Sequence, residues 1–198
     1  MKILIYLFLF TIVVNNSSAQ KNKQISIAFL NTGSAYPFSQ FGKLITTVQH
    51  PGVELGYSFN WKTKKKHDWY QECKLAYFYH RFVQHAIPLY TDIGYRYKLS
   101  QRLTAQVALG AGYLHSIPAT AQLKLAPNGG YKNDKGIGRM QALGAVNFGI
   151  RYPIKPPVNL FITYQQLVQM PFVKAYVPML PYNSLMIGVS TFLRSNKN

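Results

Sequence analysis

The sequence predicts an all-β protein: an eight-stranded antiparallel up-and-down transmembrane β-barrel behind a cleaved signal peptide. Three observations predict it. Apolar and aromatic residues recur at every second position in eight segments, the period of a strand with two unlike faces. The apolar faces so defined carry no charged residue, although 14% of the chain is charged. The connections between the segments alternate between short and long, with one exception.

Composition narrows the field. The chain has 198 residues, 22 Lys+Arg against 5 Asp+Glu, and a formal charge of +17. It is also 48% hydrophobic and 15% aromatic, which excludes a disordered polycation. A single Cys excludes an intramolecular disulfide framework and a cysteine-rich zinc site. The 15 Tyr and 12 Phe suit pleated strands.

The start of the chain reads as a secretory signal. Met1 and Lys2 are followed by an apolar or neutral run from Ile3 to Val14, then by small polar residues with Ser17 and Ala19 at the −3 and −1 positions of a cleavage site. As a helix the run would span ~18 Å, short of the ~30 Å bilayer core. Cleavage is expected after Ala19, so residues 1–19 are the signal and 20–198 the barrel domain. The Ser-Ala-Gln ending resembles signals of Bacteroidetes-type bacteria.

The eight segments follow in order. A weaker alternation runs from Ile25 to Phe29. Val53, Leu55, Tyr57, Phe59 and Trp61 share one face, with Glu54, Gly56, Ser58 and Asn60 on the other. Trp69 to Tyr79 is the third segment. Ile87 to Leu99 alternates against Tyr90, Asp92, Gly94, Arg96 and Lys98, and Leu103 to Tyr113 against Thr104, Gln106, Gly110 and Gly112. Met140 to Tyr152 alternates against Gln141, Asn147 and Arg151. Val158 to Tyr164 and Leu185 to Leu193 complete the set. Lengths of roughly 7–14 residues bracket the ~9–11 that a membrane-crossing strand needs.

Residues 63–68, 100–102 and 153–157 make short connections; 31–51, 117–137 and 168–182 make long ones, and 81–85 is a short exception. This is the pattern of a membrane barrel with periplasmic turns and extracellular loops. Trp61, Trp69, Tyr95, Tyr97 and Tyr152 fall near the short-turn rim, and Tyr77, Tyr79, Tyr113 and Tyr164 near the long-loop rim, as aromatic girdles. Pro127-Asn128-Gly129-Gly130 predicts a hairpin within 117–137. Three prolines in 168–182 argue against strand there, and Phe172, Tyr176, Met179 and Leu180 are expected to cap the barrel mouth.

This layout resembles the small eight-stranded outer-membrane barrels of the OmpA/OmpX type and the outer-membrane lipid A deacylases. The resemblance implies integral insertion in the outer membrane and delivery by the barrel assembly machinery. The deacylases carry His and Ser two apart late in the chain, followed by Asn. The matching stretch here, Thr163-Tyr164-Gln165-Gln166, has neither. The resemblance therefore argues for the fold and against that activity. Gly188 sits at a position resembling a C-terminal assembly signal, from which Phe192, on the other parity, and the trailing Arg194 to Asn198 depart.

Parity turns the charges inward. Glu54, Glu72 and Asp92 are expected to form a luminal charge network with Lys74, Arg96 and Arg151, Lys98 lying on the same face, because unpaired buried charge is costly. An eight-stranded barrel is narrow enough to be filled this way, so no open pore is expected. On the surface, Lys124, Lys132, Lys135 and Arg139 are expected to contact lipopolysaccharide phosphates through charge-assisted hydrogen bonds. The Lys64-Lys65-Lys66 turn is assigned to the periplasm, and no nucleic-acid partner is expected.

No catalytic residue, metal site or cofactor emerges. His115 faces outward, Ser116 inward, and no acid shares the outward face to orient an imidazole. His50, His67, His80 and His85 read as rim residues bonded to water, and Cys73 as a small apolar residue facing lipid. The leading function is a structural or surface-interaction role. A lipid A-modifying hydrolase or acyltransferase barrel is one alternative; a soluble periplasmic lipocalin-like binder, with apolar residues inside, is the other. The oligomeric state stays open.

Overall fold

A strand exposes successive side chains to opposite faces, so a chain whose alternate residues differ in polarity must give each face its own solvent. A closed barrel does so and leaves no unpaired sheet edge. The computed structural model describes residues 23–34, 36, 42–46, 50–120, 123–125, 127, 129–133, 136–172 and 177–193. Its strands are β1 (Lys23–Ser34), β2 (Pro51–Thr63), β3 (His67–His80), β4 (Gln84–Lys98), β5 (Thr104–Pro118), β6 (Leu123–Leu125), β7 (Tyr131–Asn133), β8 (Arg139–Lys155), β9 (Val158–Met170) and β10 (Leu180–Phe192). Eight of them close a barrel in the order β1-β10-β9-β8-β5-β4-β3-β2, every pair antiparallel.

The remaining pair, β6 and β7, is a separate hairpin in the β5–β8 connection, with Leu123 opposite Asn133 and Leu125 opposite Tyr131. It brackets the turn signal at 127–130. A single helical turn, α1 (Lys43–Thr46), lies between β1 and β2. It folds back on the outside of the barrel wall, where Asn31 donates its amide to the Leu44 carbonyl at 2.5 Å.

Three expected connections are shorter than the sequence suggests. Strand β1 runs on to Ser34, β9 to Met170, and β10 starts at Leu180, so only 171–179 separates the last two. Pro181 is accommodated in β10 opposite Val168. Strand β8 continues to Lys155, with a register shift between Pro153 and Lys155, leaving a two-residue turn.

Outward parity is apolar. Ile27, Phe29, Leu55, Leu89, Leu109, Ile150, Ile162 and Ile187 are exposed on the outside, while Ser26, Glu54, Ser58, Glu72, Lys74, Asp92, Arg96, Asn147 and Gln165 are buried inside. The lipocalin-like alternative requires the reverse. Between the strand ends no Asp, Glu, Lys or Arg faces outward, as expected where a lipid-facing Lys or Arg costs ~2–4 kcal/mol at mid-bilayer.

The lumen is packed to the point of needing glycine. A Cβ on Gly94 would sit 2.3 Å from the Tyr70 ring, and one on Gly110 would sit 2.0 Å from Asp92 Oδ1. Both are inward positions whose space belongs to a neighbour's side chain. Gly110→Val should therefore displace the Asp92 carboxylate. The expected cost is at least the ~1–3 kcal/mol of an overpacked core, read as an earlier loss of the compact band when samples are heated before electrophoresis.

Candidate functional site

The centre of the lumen is a polar network reaching across six strands. Lys74 on β3 places its ammonium 3.0 Å from Asp92 on β4, 3.3 Å from Glu54 on β2 and 4.0 Å from Glu72 on its own strand. Glu72 also accepts from Ser26 on β1 at 2.9 Å. Asp92 accepts from Asn147 on β8 at 2.8 Å. Tyr90 donates its hydroxyl to Glu54 and accepts from Gln165 on β9 at 2.7 Å; Gln165 also donates to Asn147 at 2.9 Å. The register explains the gathering: Glu72 lies opposite Asp92, Lys74 opposite Tyr90, and Gly56 opposite Lys74. Three carboxylates surround one ammonium, so polar donors must satisfy the rest.

Arg96 and Arg151 lie on the same inward face but not in this network. They sit toward the short-turn rim. Arg96 stacks on Tyr70, its guanidinium carbon 3.6 Å from the ring centroid, and donates to Asn60 Oδ1 at 3.2 Å. Arg151 donates to Gln106 at 2.6 Å, Gln24 at 2.9 Å and Ser190 at 3.4 Å. Asp68 is opposite Arg96 in register, yet its carboxylate pairs with Lys98 at 3.4 Å. The six residues expected as one network thus divide into a four-residue ion cluster and two arginines held by neutral partners.

Beyond the network, toward the long-loop rim, the lumen turns apolar. Leu30, Phe78, Leu114, Leu143, Leu167, Tyr182 and Met186 pack together, with Leu180 against them. Gln84 donates to Gln169 at 2.5 Å and to the Tyr182 hydroxyl at 3.1 Å, and accepts from Ser116. Above this layer two histidines stack at the neighbouring ends of β2 and β3. His50 and His80 are 7% and 6% exposed, and their rings stack 3.7 Å apart. Ser34 bonds His80 Nε2 at 3.1 Å, and the Phe82 ring meets both edge-on. They are not the water-bonded rim residues expected from sequence; His50 precedes β2 and His80 ends the neighbouring β3, one step beyond the Gly52–Phe78 pair, and stacking on each other and on Phe82 buries them. Burial, and secondarily the nearby Arg81 charge, hold the His50 imidazole below its usual pKa of 6.5.

The outer surface has its own order. Trp61, Trp69, Tyr97 and Tyr152 are exposed near the short-turn rim, Trp69 edge-on to Tyr95 at 5.2 Å. Near the other rim, Tyr77 bonds His85 Nδ1 at 2.9 Å. Tyr113 bonds His115 Nδ1 at 2.8 Å, and His115 Nε2 donates to the Ile137 carbonyl at 2.8 Å. Both nitrogens of His115 are thereby occupied, while Ser116 points into the lumen. Cys73 is exposed on the outward face.

Of the four bases expected at the surface, Lys124 and Lys132 are opposite each other in the β6–β7 hairpin. Arg139 begins β8, is exposed, and donates to the Phe172 carbonyl at 3.4 Å. Lys135 lies outside the described residues, as does Tyr176 of the expected cap. Of the other cap residues, Leu180 packs on the luminal core and Met179 is 56% exposed.

Closure by eight strands, an apolar exterior with aromatic rims and a polar packed lumen define an outer-membrane β-barrel. No protein-family model matches the chain, and no curated protein matches it. Solved structures do. Neisserial surface protein A superposes with a TM-score of 0.51 at 10% identity, covering 87% of this chain and 96% of that one. Ail, the attachment invasion locus protein of Yersinia pestis, in complex with the heparin analogue sucrose octasulfate, gives 0.47 at 12% identity, over 87% and 97%. The outer membrane enzyme PagL gives 0.47 at 12%, over 83% and 97%. The first likeness establishes the shared fold and nothing finer.

Two expectations follow from this geometry. Lys74→Met removes the one ammonium among three buried carboxylates and should cost ~3–5 kcal/mol, measured as a fall in the guanidinium unfolding midpoint in detergent. For His50, the sign is set by its lowered native pKa: a released loop binds a proton more readily than the closed one, so closure weakens as pH falls below 6.5. The His50 amide, bonded to Asn31 Oδ1 at 2.7 Å, should lose hydrogen-exchange protection between about pH 7 and 5, once intrinsic rates are divided out. His50→Gln should reduce that pH dependence, and His50→Gln with His80→Gln should abolish it.

Proposed function

We propose that this chain is an integral outer-membrane protein with a side-chain-filled lumen that works at its surface, as a structural and interaction element of the envelope. The observation that carries the reading is the inverted polarity: apolar outside, ion-paired inside. Such a molecule buries its exterior only in lipid, and its lumen offers no continuous water path. In this reading residues 1–19 are a signal peptide removed after Ala19, the barrel assembly machinery inserts residues 20–198, and the short turns face the periplasm.

The extracellular partner is the phosphate of lipopolysaccharide, met by Lys124, Lys132, Lys135 and Arg139. The register supports this. Lys124 and Lys132 hold opposed register positions in the β6–β7 hairpin. Arg139 stands where the same connection returns to the barrel.

Cell fractionation tests the placement: the protein should appear only in the outer-membrane fraction and shift on a denaturing gel when boiled. A soluble periplasmic band without a shift would refute it. The variant Lys124→Gln, Lys132→Gln, Lys135→Gln should bind lipopolysaccharide more weakly than wild type while keeping its heat shift; undiminished binding would remove the surface assignment.

A further inference from the structure

The short-turn end of the lumen holds donors that the protein does not satisfy. A guanidinium carries five N–H donors in a fixed fork and stays charged. Arg96 is 3% exposed and uses one of its donors on Asn60; its Nε and Nη2 have no partner. Arg151 is 7% exposed, and its partners, Gln106, Gln24 and Ser190, are all neutral. Among the described residues, no carboxylate lies within ion-pair distance of either guanidinium. Both line one cavity of about 590 Å³, with Lys65, Lys66 and Lys98 around it. The single acid there, Asp68, is engaged by Lys98.

The lumen is not short of acids; it keeps them elsewhere. Glu54, Glu72 and Asp92 are turned toward Lys74 and held by Tyr90, Ser26 and Asn147. On β3, Tyr70 occupies the inward position between Glu72 and Asp68, and Arg96 lies against its ring. The acid layer and the arginine layer therefore balance as charges, but no hydrogen bond joins them. Unmet buried donors at charged groups are rare in folded proteins. Both guanidinium side chains line the cavity, and a planar fork suits an oxyanion that accepts two parallel bonds.

We propose that the short-turn mouth is a binding site for a small phosphate-class oxyanion, held by Arg96 and Arg151 with the lysines of the turn drawing it in. The site needs the barrel but not the surface role proposed above. The anion has two possible sources: a free phosphate or phosphate ester entering from the periplasm, or the headgroup phosphate of an anionic lipid beside the rim.

The test uses the folded chain in a maltoside detergent, free of phosphate, titrated calorimetrically with inorganic pyrophosphate. Wild type should bind one equivalent saturably at millimolar or lower concentration, less tightly as sodium chloride rises. Arg96→Gln and Arg151→Gln should each weaken binding at least tenfold, and Arg81→Gln at the opposite rim should leave it unchanged. A heat-shift gel establishes that each variant folds; should one fail, the wild-type titration and the other variant still decide. Repeating the wild-type titration in phosphatidylcholine and phosphatidylglycerol nanodiscs separates the sources. Equal binding identifies a free anion, and weaker binding in phosphatidylglycerol identifies a competing headgroup. No saturable binding by wild type, or binding unaltered in both arginine variants, overturns the proposal; the latter would reduce it to an adventitious ion on the lysine turn.

Discussion

One buried ammonium organises this molecule. Lys74 meets Asp92, Glu54 and Glu72 in a lumen that eight strands make too narrow for much water. None of these charges is tolerable there alone. Together with Ser26, Tyr90, Asn147 and Gln165 they tie β1, β2, β3, β4, β8 and β9 across the interior. Backbone ladders join each strand only to its neighbours. The network joins strands that are not neighbours, and a one-residue slip of any of them would turn its member out toward lipid.

The rest of the polarity follows. The sequence has five acids, and four of them, Glu54, Asp68, Glu72 and Asp92, are buried on the inward face; the fifth, Asp134, lies outside the described residues. Among the described residues, the bases left over stand at or near strand ends or in the connections between strands. Along its axis the lumen is layered: a histidine stack over an apolar plug, then the ion cluster, then two arginines at the short-turn mouth. A lumen filled in this way leaves the two ends and the lipid-facing wall for contact with partners, and the surface lysines and the arginine mouth are where function is sought.

Much of this was legible in the sequence. Alternation alone identified eight strands and the face of every luminal charge, because side-chain period two is a local property and lipid tolerates no misplaced charge. The girdle aromatics and the hairpin around 127–130 were legible for the same local reasons. Strand ends were not. Asn31–Ser34 and Leu180–Pro181 look like loop by composition, but pairing with neighbouring strands holds them in the sheet, Asn31 opposite Leu185 on β10 and Leu180 opposite Gln169 on β9. The His50–His80 stack and the separation of Arg96 and Arg151 from the acids were also hidden. The stack depends on the β2–β3 register, which shifts between Asn60 and Lys62, and the separation depends on which residues meet across the closed lumen. Parity did place Tyr90 and Asn147 inward, while Gln165 lay beyond the expected end of its strand at Tyr164, which in fact runs to Met170.

If side chains, the Lys74 cluster above all, fill the lumen, the barrel carries no steady current. In single-channel recording of the refolded protein in a planar bilayer, wild type should show no stable conducting state across the usual voltage range. A steady, large, reproducible conductance from wild type would contradict it, since an open water path through the barrel cannot coexist with the network described.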